Sequence, residues 1–372
     1  MKWAFISGNM AIAEAAMAAG LRFYAGYPIT PSSEIFEYLA EHLPKKGGAV
    51  IQMEDEIASI NAIIGASWSG AKAMTATSGP GLSLMAEGLG LAVMTETPIV
   101  VVDVMRAGPS TGVPTKTTQA DVFQVRWLAH GDYIIPSLAP WSVQEAYDLT
   151  IKAFNISEKL RTPVILVSDA VIAHLWEPVK MYEDGEAPVV NRKKPLSPGK
   201  YLPYMPGDDL VPPMATFGEG YKIIVESLTH DEKGYYAPRT EAHRALVLRL
   251  NLKILKHIDE IFEAETYFTQ NSNVVVVSYG STARTVYSTV LRLRSQGYRA
   301  GMLRLKTLWP IHEEKLREMI KAEKIIVVEN NMGKIYLDMA RIFRDREVYP
   351  APVLSLDLPT VKEVEEAITH WL

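Results

Sequence analysis

The chain has 372 residues, of which 48% are hydrophobic and 22% are charged, a balance typical of a folded protein large enough for two hydrophobic cores. Its 38 basic and 43 acidic residues give a formal net charge of -5, which argues against nucleic acid or a membrane surface as a partner. The absence of cysteine excludes disulfides, thiolate zinc sites and a cysteine-ligated iron–sulfur cluster within this chain.

The first twenty residues are largely apolar, but Gly8, Asn9 and Glu14 interrupt the run. A signal peptide or membrane span needs a longer unbroken apolar stretch, so we interpret the segment as a first helix. The cytoplasm is therefore the expected location.

From there to about residue 169, short β-rich runs alternate with segments of helical period. The predicted strands are Arg22–Gly26, Ala49–Met53, Lys72–Thr77, Pro98–Met105, Tyr133–Pro136 and Pro163–Ser168. Their continuous apolar character predicts parallel strands covered on both faces. After the second strand, the acidic residues 54–56 are expected to open a helix that places Ile57, Ile60, Ile64 and Trp68 against the sheet.

The region from about 175 to 235 is rich in proline and has no sustained period, which predicts an ordered but irregular connection. A connecting helix is predicted at Arg244–Phe262, and a second α/β unit begins near Asn273. In this unit a helix is predicted at Arg284–Ser295, and strands at 274–279, Arg299–Leu305, Lys324–Glu329 and Val353–Leu356. The predicted fold class is α/β, with two open parallel sheets and domains at 1–235 and 266–372 joined by 236–265.

The segment Tyr27–Glu34 follows a predicted strand, at the sheet edge where open α/β proteins bind ligands. Pro28 and Pro31 restrict the backbone, so Thr30 is predicted to be an extended N-cap residue with its hydroxyl at the strand tip. Taken alone, these features favour a rigid turn with a capping threonine over a ligand site.

Glu54, Asp55 and Glu56 follow another strand, and acidic residues at a helix start are a common way to stabilise it. The residues after Glu56 are mostly apolar, however. Glu56 is therefore a candidate for a raised pKa and for exchanging a proton with a bound ring nitrogen.

Two further loops follow strands. In 75–81 the glycines and backbone donors could let a flat ligand approach, although the loop has neither a dinucleotide fingerprint nor a P-loop pattern. In 106–117 an arginine precedes several hydroxyls, which suits a carboxylate receptor. A solvated loop with a surface arginine explains that second pattern equally well.

Together these segments resemble the α subunit of 2-oxoacid:ferredoxin oxidoreductases, most closely those acting on 2-oxoglutarate. The segments that carry the resemblance are GYPITPSSE (26–34), MEDEIASI (53–60), MTATSGPG (74–81), RAGPSTGVPTKTTQAD (106–121), THDEKG (229–234), SYGSTART (278–285) and LKTLWP (305–310). The order and spacing of these segments together are more specific to the family than any single segment is. The resemblance implies a pyrimidine-binding domain of the thiamine diphosphate fold at 1–235, a connecting helix at 236–265 and a transketolase C-terminal-like domain at 266–372.

The resemblance also implies roles for single residues. Glu56 matches the glutamate that hydrogen-bonds the cofactor's pyrimidine ring, and Arg106 matches the arginine that receives the 2-oxoacid carboxylate. Thr30 matches a threonine facing both substrate and cofactor, while Thr111 and Thr115 match hydroxyls that line the substrate pocket. Tyr27, Pro28, Ile29, Ser78 and Gly79 are the remaining expected cofactor-binding positions.

The implied reaction is the oxidative decarboxylation of 2-oxoglutarate with coenzyme A, giving succinyl-CoA, CO2 and reduced ferredoxin, or its reverse. Thiamine diphosphate would be shared with a β subunit that supplies the diphosphate and Mg²⁺ site and an iron–sulfur cluster, so no metal site is expected here. A γ subunit, expected to be separate or absent, and a ferredoxin-like δ subunit complete the possible partners. A branched-chain or other 2-oxoacid as substrate, and a non-catalytic scaffold, remain alternatives.

Overall fold

The computed structural model describes residues 1–196 and 201–372, so four residues of the predicted irregular connection, 197–200, lie outside the described residues. The strands are β1 (Lys2–Ser7), β2 (Leu21–Gly26), β3 (Ala49–Gln52), β4 (Lys72–Thr77), β5 (Ile99–Met105), β6 (Ser137–Leu138), β7 (Pro163–Asp169), β8 (Trp176–Met181), β9 (Ala264–Tyr267), β10 (Val274–Tyr279), β11 (Ala300–Leu305), β12 (Thr307–Trp309), β13 (Lys324–Glu329) and β14 (Glu347–Pro352).

The helices are α1 (Gly8–Ala18), α2 (Ser33–His42), α3 (Glu56–Trp68), α4 (Gly79–Leu84), α5 (Ala86–Met94), α6 (Val122–Trp127), α7 (Val143–Leu160), α8 (Ala170–His174), α9 (Thr240–Lys256), α10 (Ile258–Ile261), α11 (Thr282–Ser295), α12 (Glu313–Met319), α13 (Lys334–Ile342) and α14 (Val361–Thr369). Within the described ranges, no helix combines the length and apolar character needed to cross a bilayer.

The first unit is built on a seven-stranded sheet in the order β12-β6-β7-β5-β4-β2-β3. Strands β2 to β7 run parallel in this sheet, whereas β12 pairs antiparallel with β6 at one edge. On β5, Val100, Val102 and Val104 pack into the core on one face, while Ile99 and Val101 pack into the core on the other. This double burial explains why β5 is apolar at every position except Asp103.

The second unit is a five-stranded sheet in the order β14-β13-β10-β11-β9, parallel except for the edge strand β9. One face packs against α11 and α14, and the other joins the core of the first unit, where Val275 and Leu303 belong to the same cluster as Ile99 and Val101. The α/β class is therefore confirmed, and the two units share a continuous core.

The N-terminal prediction was wrong for the first residues. Residues 2–7 form β1, which pairs antiparallel with β8 as a separate ribbon, and the helix begins only at Gly8. Alternation explains the strand: Ala4 and Ile6 pack on the core, while Trp3 and Phe5 are 69% and 64% exposed. Its second strand, β8, lies at the start of the proline-rich connection, so that part of the connection is regular and not irregular as predicted.

Two other strand predictions were misplaced. Residues 133–136 have no strand geometry, and the ladder with β7 starts after Pro136, whose carbonyl accepts from Ile165 N at 2.9 Å. The strand predicted at 353–356 lies earlier, at β14. Its neighbour β13 ends at Glu329, and Ser355 N instead donates to the Asn330 side chain at 3.0 Å. Predictions at 72–77 and 324–329 match β4 and β13.

The helix predictions need smaller corrections. In α3 the buried stripe contains Ile60, Ile63, Ile64 and Trp68, whereas Ile57 is 49% exposed. The predicted connecting helix is two helices, α9 and α10, separated at His257.

Candidate active site

The candidate site lies along the carboxyl edge of three adjacent parallel strands, β2, β4 and β5. Each strand ends at or within one of the segments singled out in the sequence, at 27–34, 75–81 and 106–121. The N-terminus of α3 joins them from the loop after β3. Because parallel strands end at the same edge, residues far apart in sequence meet there.

Glu56 is the first residue of α3, and its side chain is 4% exposed. Asp55 caps the helix by accepting from Ala58 N at 2.7 Å, which fixes the backbone at this point. Thr77 Oγ1, at the end of β4, lies 3.5 Å from Glu56 Oε1. The geometry therefore directs a carboxyl group inward, away from solvent, at the sheet edge.

Burial is the main cause that raises the pKa of Glu56, and the neighbouring Asp55 carboxylate raises it further. The hydrogen bonds from its own backbone N–H and from Thr77, together with the Arg106 guanidinium, oppose this shift. The balance leaves a carboxyl group that keeps its proton to a higher pH than an exposed glutamate does. Such a group can share a proton with a ligand nitrogen.

Gly81, in the first turn of α4, packs directly on this carboxyl group. A Cβ atom at Gly81 would lie 2.1 Å from Thr77 Oγ1 and 2.2 Å from Glu56 Oε1. Only glycine therefore lets α4 approach Glu56 so closely. Near the same edge, the buried hydroxyls of Thr75 and Ser78 have no hydrogen-bond partner within the described part of the chain.

Arg106 links the third segment to the first. Its Nη1 donates to the Thr30 carbonyl at 2.9 Å, and its own carbonyl accepts from Thr118 Oγ1 at 3.0 Å. The Arg106 side chain is 8% exposed, and its buried Nε has no partner among the described residues. One side of the guanidinium group is thus committed to the protein, and hydrogen-bonding capacity remains for a ligand.

The first segment shows a different capping arrangement from the predicted one. Ser32, not Thr30, occupies the N-cap position of α2, and the helix has no side-chain cap bond. Proline at position 31 separates Thr30 from the helix. Thr30 is exposed, as are Tyr27 and Pro28, while Ile29 is half-buried. These residues present an open surface beside Arg106.

A cavity of about 180 Å³ lies next to Arg106 and is lined by Gly79, Ser83, Ser110, Asp121 and Gln124 among others. The structure thus brings Gly79 and Arg106 together. Thr111 and Thr115 do not line this cavity. Both are exposed on the outer part of the loop.

The loop after Arg106 is held by the second unit. Gln119 Nε2 donates to the Tyr279 carbonyl at 3.0 Å, and Gln119 Oε1 accepts from Asn330 N at 3.3 Å. Thr117 N donates to the Leu356 carbonyl at 3.0 Å. Lys116 and Asp357 form an ion pair at 2.7 Å on the surface.

The sequence reasoning did not identify Thr77 as a neighbour of Glu56, Gln119 as a link to the second unit, or Asp121 as part of the cavity lining. It also passed over Asp103, a fully buried carboxylate within the apolar run PIVVVDVM, where a charged residue demands an explanation. The others act through contacts between distant segments, for which single positions in the sequence give no sign.

The buried polar groups at this edge fit the pyrimidine end of thiamine diphosphate. Glu56 supplies a buried carboxyl group with a raised pKa, and the buried hydroxyls of Thr75 and Ser78 have no partner among the described residues, so the edge offers polar atoms to a heterocycle. Among residues 1–196 and 201–372, no three histidine, aspartate or glutamate side chains gather in a way that could hold a metal ion.

Comparison with family models matches residues 14–247 to "Pyruvate flavodoxin/ferredoxin oxidoreductase, thiamine diP-bdg". Residues 272–355 match "Pyruvate:ferredoxin oxidoreductase core domain II". The two matches follow each other along the chain in the order of the two structural units.

Among curated proteins, the 2-oxoglutarate synthase subunit KorA of Methanocaldococcus jannaschii is 49% identical over 99% of this chain and 100% of its own length. The ketoisovalerate oxidoreductase subunit VorB of Methanothermobacter thermautotrophicus is 33% identical over 98% of this chain and 96% of its own. Among solved structures, 2-oxoglutarate:ferredoxin oxidoreductase from Magnetococcus marinus, with 2-oxoglutarate, coenzyme A and succinyl-CoA bound, superimposes with a TM-score of 0.92 at 33% identity. That match covers 99% of this chain and 65% of the other.

Proposed function

Because the chain belongs to the pyruvate flavodoxin/ferredoxin oxidoreductase family, we propose that it is one subunit of a thiamine-diphosphate-dependent 2-oxoglutarate:ferredoxin oxidoreductase. The reaction is the oxidative decarboxylation of 2-oxoglutarate with coenzyme A, giving succinyl-CoA, CO2 and reduced ferredoxin, or the reverse. The observation that carries the proposal is the buried Glu56 carboxyl group, because a subunit with a purely structural task does not need it.

Glu56 is proposed to hold a proton at the pyrimidine ring nitrogen of the cofactor. Its burial and its contact with Thr77 fix the carboxyl group, and its raised pKa lets it share that proton. Thiamine diphosphate, when bound, supplies the carbon nucleophile and the electron sink for the loss of CO2. Tyr27, Pro28, Ile29, Thr30, Ser78 and Gly79 are proposed to line the rest of its binding surface on this chain.

Arg106 is proposed to receive a carboxylate of the 2-oxoacid. Its guanidinium group lies at the cavity beside Gly79 and has a buried Nε free of protein partners in the described ranges. The Thr30 carbonyl orients it from one side. The exposed Thr111 and Thr115 are proposed to complete the substrate pocket from the outer part of the loop.

The remaining parts of the enzyme are proposed to come from other subunits. This chain has no cysteine, so an iron–sulfur cluster would need thiolates elsewhere. We assign the diphosphate, the Mg²⁺ and the cluster to a β subunit, with γ and ferredoxin-like δ subunits as further partners. Within this chain the proposed domains are 1–235, the connecting helix 236–265, and 266–372.

The identities favour 2-oxoglutarate over a branched-chain substrate, since the 2-oxoglutarate synthase relative is 49% identical and the ketoisovalerate relative 33%. Turnover of the purified complex with 2-oxoglutarate, pyruvate and 2-oxoisovalerate tests this choice. Preference for 2-oxoisovalerate would transfer the chain to the branched-chain enzymes.

Glu56→Gln tests the role of the carboxyl group. We expect an intact complex whose turnover falls on the order of 10²- to 10⁴-fold, because the amide cannot share a proton in the same way. The matched control is Glu54→Gln, an exposed residue two positions earlier, which should leave turnover unchanged. Undiminished turnover in Glu56→Gln, or a wild-type complex without thiamine diphosphate, would contradict the proposed function.

A further inference from the structure

Asn9 is a polar side chain on the buried face of the first helix, α1. The other buried residues of α1 are glycine, alanine, isoleucine and methionine. Asn9 is fully buried, and its Oδ1 has no hydrogen-bond partner within the part of the chain that the structure describes. Burying an unpaired amide oxygen costs stability, and an alanine here would avoid that cost. The presence of an asparagine therefore needs a physical reason.

The amide nitrogen of Asn9 supplies that reason. Its Nδ2 donates to the Pro31 carbonyl at 2.9 Å and to Glu34 Oε2 at 2.9 Å. Both partners are acceptors, so this place requires a group that can donate two hydrogen bonds. Pro31 lies just before α2, and Glu34 lies in the first turn of that helix. The Asn9 side chain therefore ties α1 to the segment that leads into α2.

The first turn of α1 is itself held in place by α8. Ser7 caps α1 through its side chain, and Gly8 N donates to the Leu175 carbonyl at 3.1 Å. A Cβ atom at Gly8 would lie 2.0 Å from the carbonyl oxygen of Ile172, so the two helices are in direct contact at this point. Asn9 therefore reaches the segment before α2 from a fixed position.

Two successive carbonyls of that segment accept from side chains that come from elsewhere in the chain. The Thr30 carbonyl accepts from Arg106 Nη1 at 2.9 Å, and the Pro31 carbonyl accepts from Asn9. Proline has no N–H group that could hold the backbone at this position. The Thr30 oxygen belongs to the peptide group that joins Thr30 to Pro31. A shift of Pro31 therefore moves the oxygen that orients the Arg106 guanidinium group.

We propose that Asn9 is a positioning residue for the substrate carboxylate: it holds Pro31, and through the Thr30 carbonyl it fixes the orientation of Arg106. This inference rests on the proposed function, because it takes Arg106 as the carboxylate receptor. Asn9 acts through the backbone and takes no part in bond making. Arg106 is proposed to hold the carboxylate before and during the reaction alike. Loss of Asn9 should therefore weaken substrate binding and leave the chemical step nearly unchanged.

Asn9→Ala in the assembled enzyme tests this inference, because it removes both hydrogen bonds. We expect KM for 2-oxoglutarate to rise about tenfold, with kcat within about threefold of the wild-type value. The dissociation constant of glutarate, a dicarboxylate without the keto group, should rise by the same factor. Calorimetric titration with glutarate measures it without turnover. The matched control Glu34→Ala removes the other partner of Asn9 and keeps the Pro31 bond, so both constants should stay near their wild-type values.

A double-mutant cycle with Arg106→Met separates positioning from a general loss of stability. If Asn9 acts through the guanidinium group, then Asn9→Ala should lower kcat/KM by less than about twofold further once that group is gone. A merely structural role predicts instead that the two effects add.

Asn9→Asp keeps the shape of the side chain, in case Asn9→Ala does not assemble. A carboxylate cannot donate to the Pro31 carbonyl, and it repels Glu34. Adding Glu34→Gln supplies an amide that can donate to the new carboxylate. The double variant thus regains the contact with α2 but not the bond to Pro31. We expect it to assemble with KM still raised about tenfold, whereas a wild-type KM would overturn the inference.

Unchanged KM and glutarate binding in Asn9→Ala would also overturn it. So would effects that add to those of Arg106→Met, or an equal rise in KM in Glu34→Ala. In each of these cases a wild-type complex that holds thiamine diphosphate and turns over 2-oxoglutarate leaves the proposed function standing. A wild-type complex that lacks both removes the proposed function and this inference together.

Discussion

The two sides of the candidate site are held in place by different parts of the molecule. Around Glu56, every support described above comes from the first unit: the Asp55 cap, the Thr77 hydroxyl and the close approach of Gly81. The loop after Arg106 depends instead on the second unit, through Thr117, Gln119 and their partners. The first side is fixed by contacts within one unit, and the second by hydrogen bonds between the two units.

This difference separates two ways of losing function. A change in the packing around Glu56 should act on the chemical step, because it moves a group proposed to handle a proton. A change in the bonds between the units should act on substrate binding, because it loosens the segment that carries Arg106. Three substitutions test this contrast.

Gly81→Ala should have the largest effect. The new Cβ atom would overlap Thr77 and Glu56, so either α4 or the carboxyl group must move. We expect a loss of about 1–3 kcal/mol in unfolding free energy and a fall in kcat on the order of 100-fold. Chemical denaturation and single-turnover kinetics measure both.

The control for this variant is Gly65→Ala on α3, where a Cβ atom meets nothing within 4 Å. There we expect a gain of about 0.5–1 kcal/mol, as for other exposed helical glycines. Equal stability and kcat in Gly81→Ala and the wild type would show that the packing around Glu56 tolerates movement.

Gln119→Ala should have an intermediate effect of a different kind. It leaves the Tyr279 carbonyl and the Asn330 amide without their side-chain partner, at a cost of about 1–3 kcal/mol. KM for the 2-oxoacid should rise more than kcat falls. Gln296→Ala, at an exposed glutamine bonded to Glu365, should change stability by less than about 0.5 kcal/mol. A fall confined to kcat would remove the contrast between the two sides.

Lys116→Met should have the smallest effect. Its ion pair with Asp357 has 41% and 72% exposed side chains, so it is worth about 0.2–1 kcal/mol and should weaken with added salt. A double-mutant cycle with Asp357→Asn measures the coupling. A coupling well above 1 kcal/mol, insensitive to salt, would mean that the pair anchors the loop as strongly as Gln119 does.

Local sequence patterns predicted the elements that the rest of the protein covers on both faces. The apolar runs of β4 and β5 predicted buried strands, and the acidic residues before Ile57 marked the start of α3. The partners of each strand could not be predicted in the same way. The ribbon of β1 and β8 joins segments about 170 residues apart, and neither segment contains a pattern that identifies its pairing partner.

The candidate site shows the same limit. Glu56 was identified from an acid followed by apolar residues, and the structure buries it. The cap assigned to Thr30 was wrong because the helix begins at Ser33, after Pro31. The contact of Asp121 with Gly79 depends on how the loop after Arg106 folds back over the sheet edge, which no local spacing encodes.

The strand β12 has a consequence for how the protein can be divided. It belongs in sequence to the second unit, yet it completes the edge of the first sheet by pairing with β6. A truncated chain that stops before Thr307 would leave that edge bare and open to pairing with other molecules. Expressed alone, a chain that ends before Thr307 should precipitate more readily than the whole chain. Adding the remaining residues as a separate polypeptide should rescue its solubility by supplying the missing edge strand.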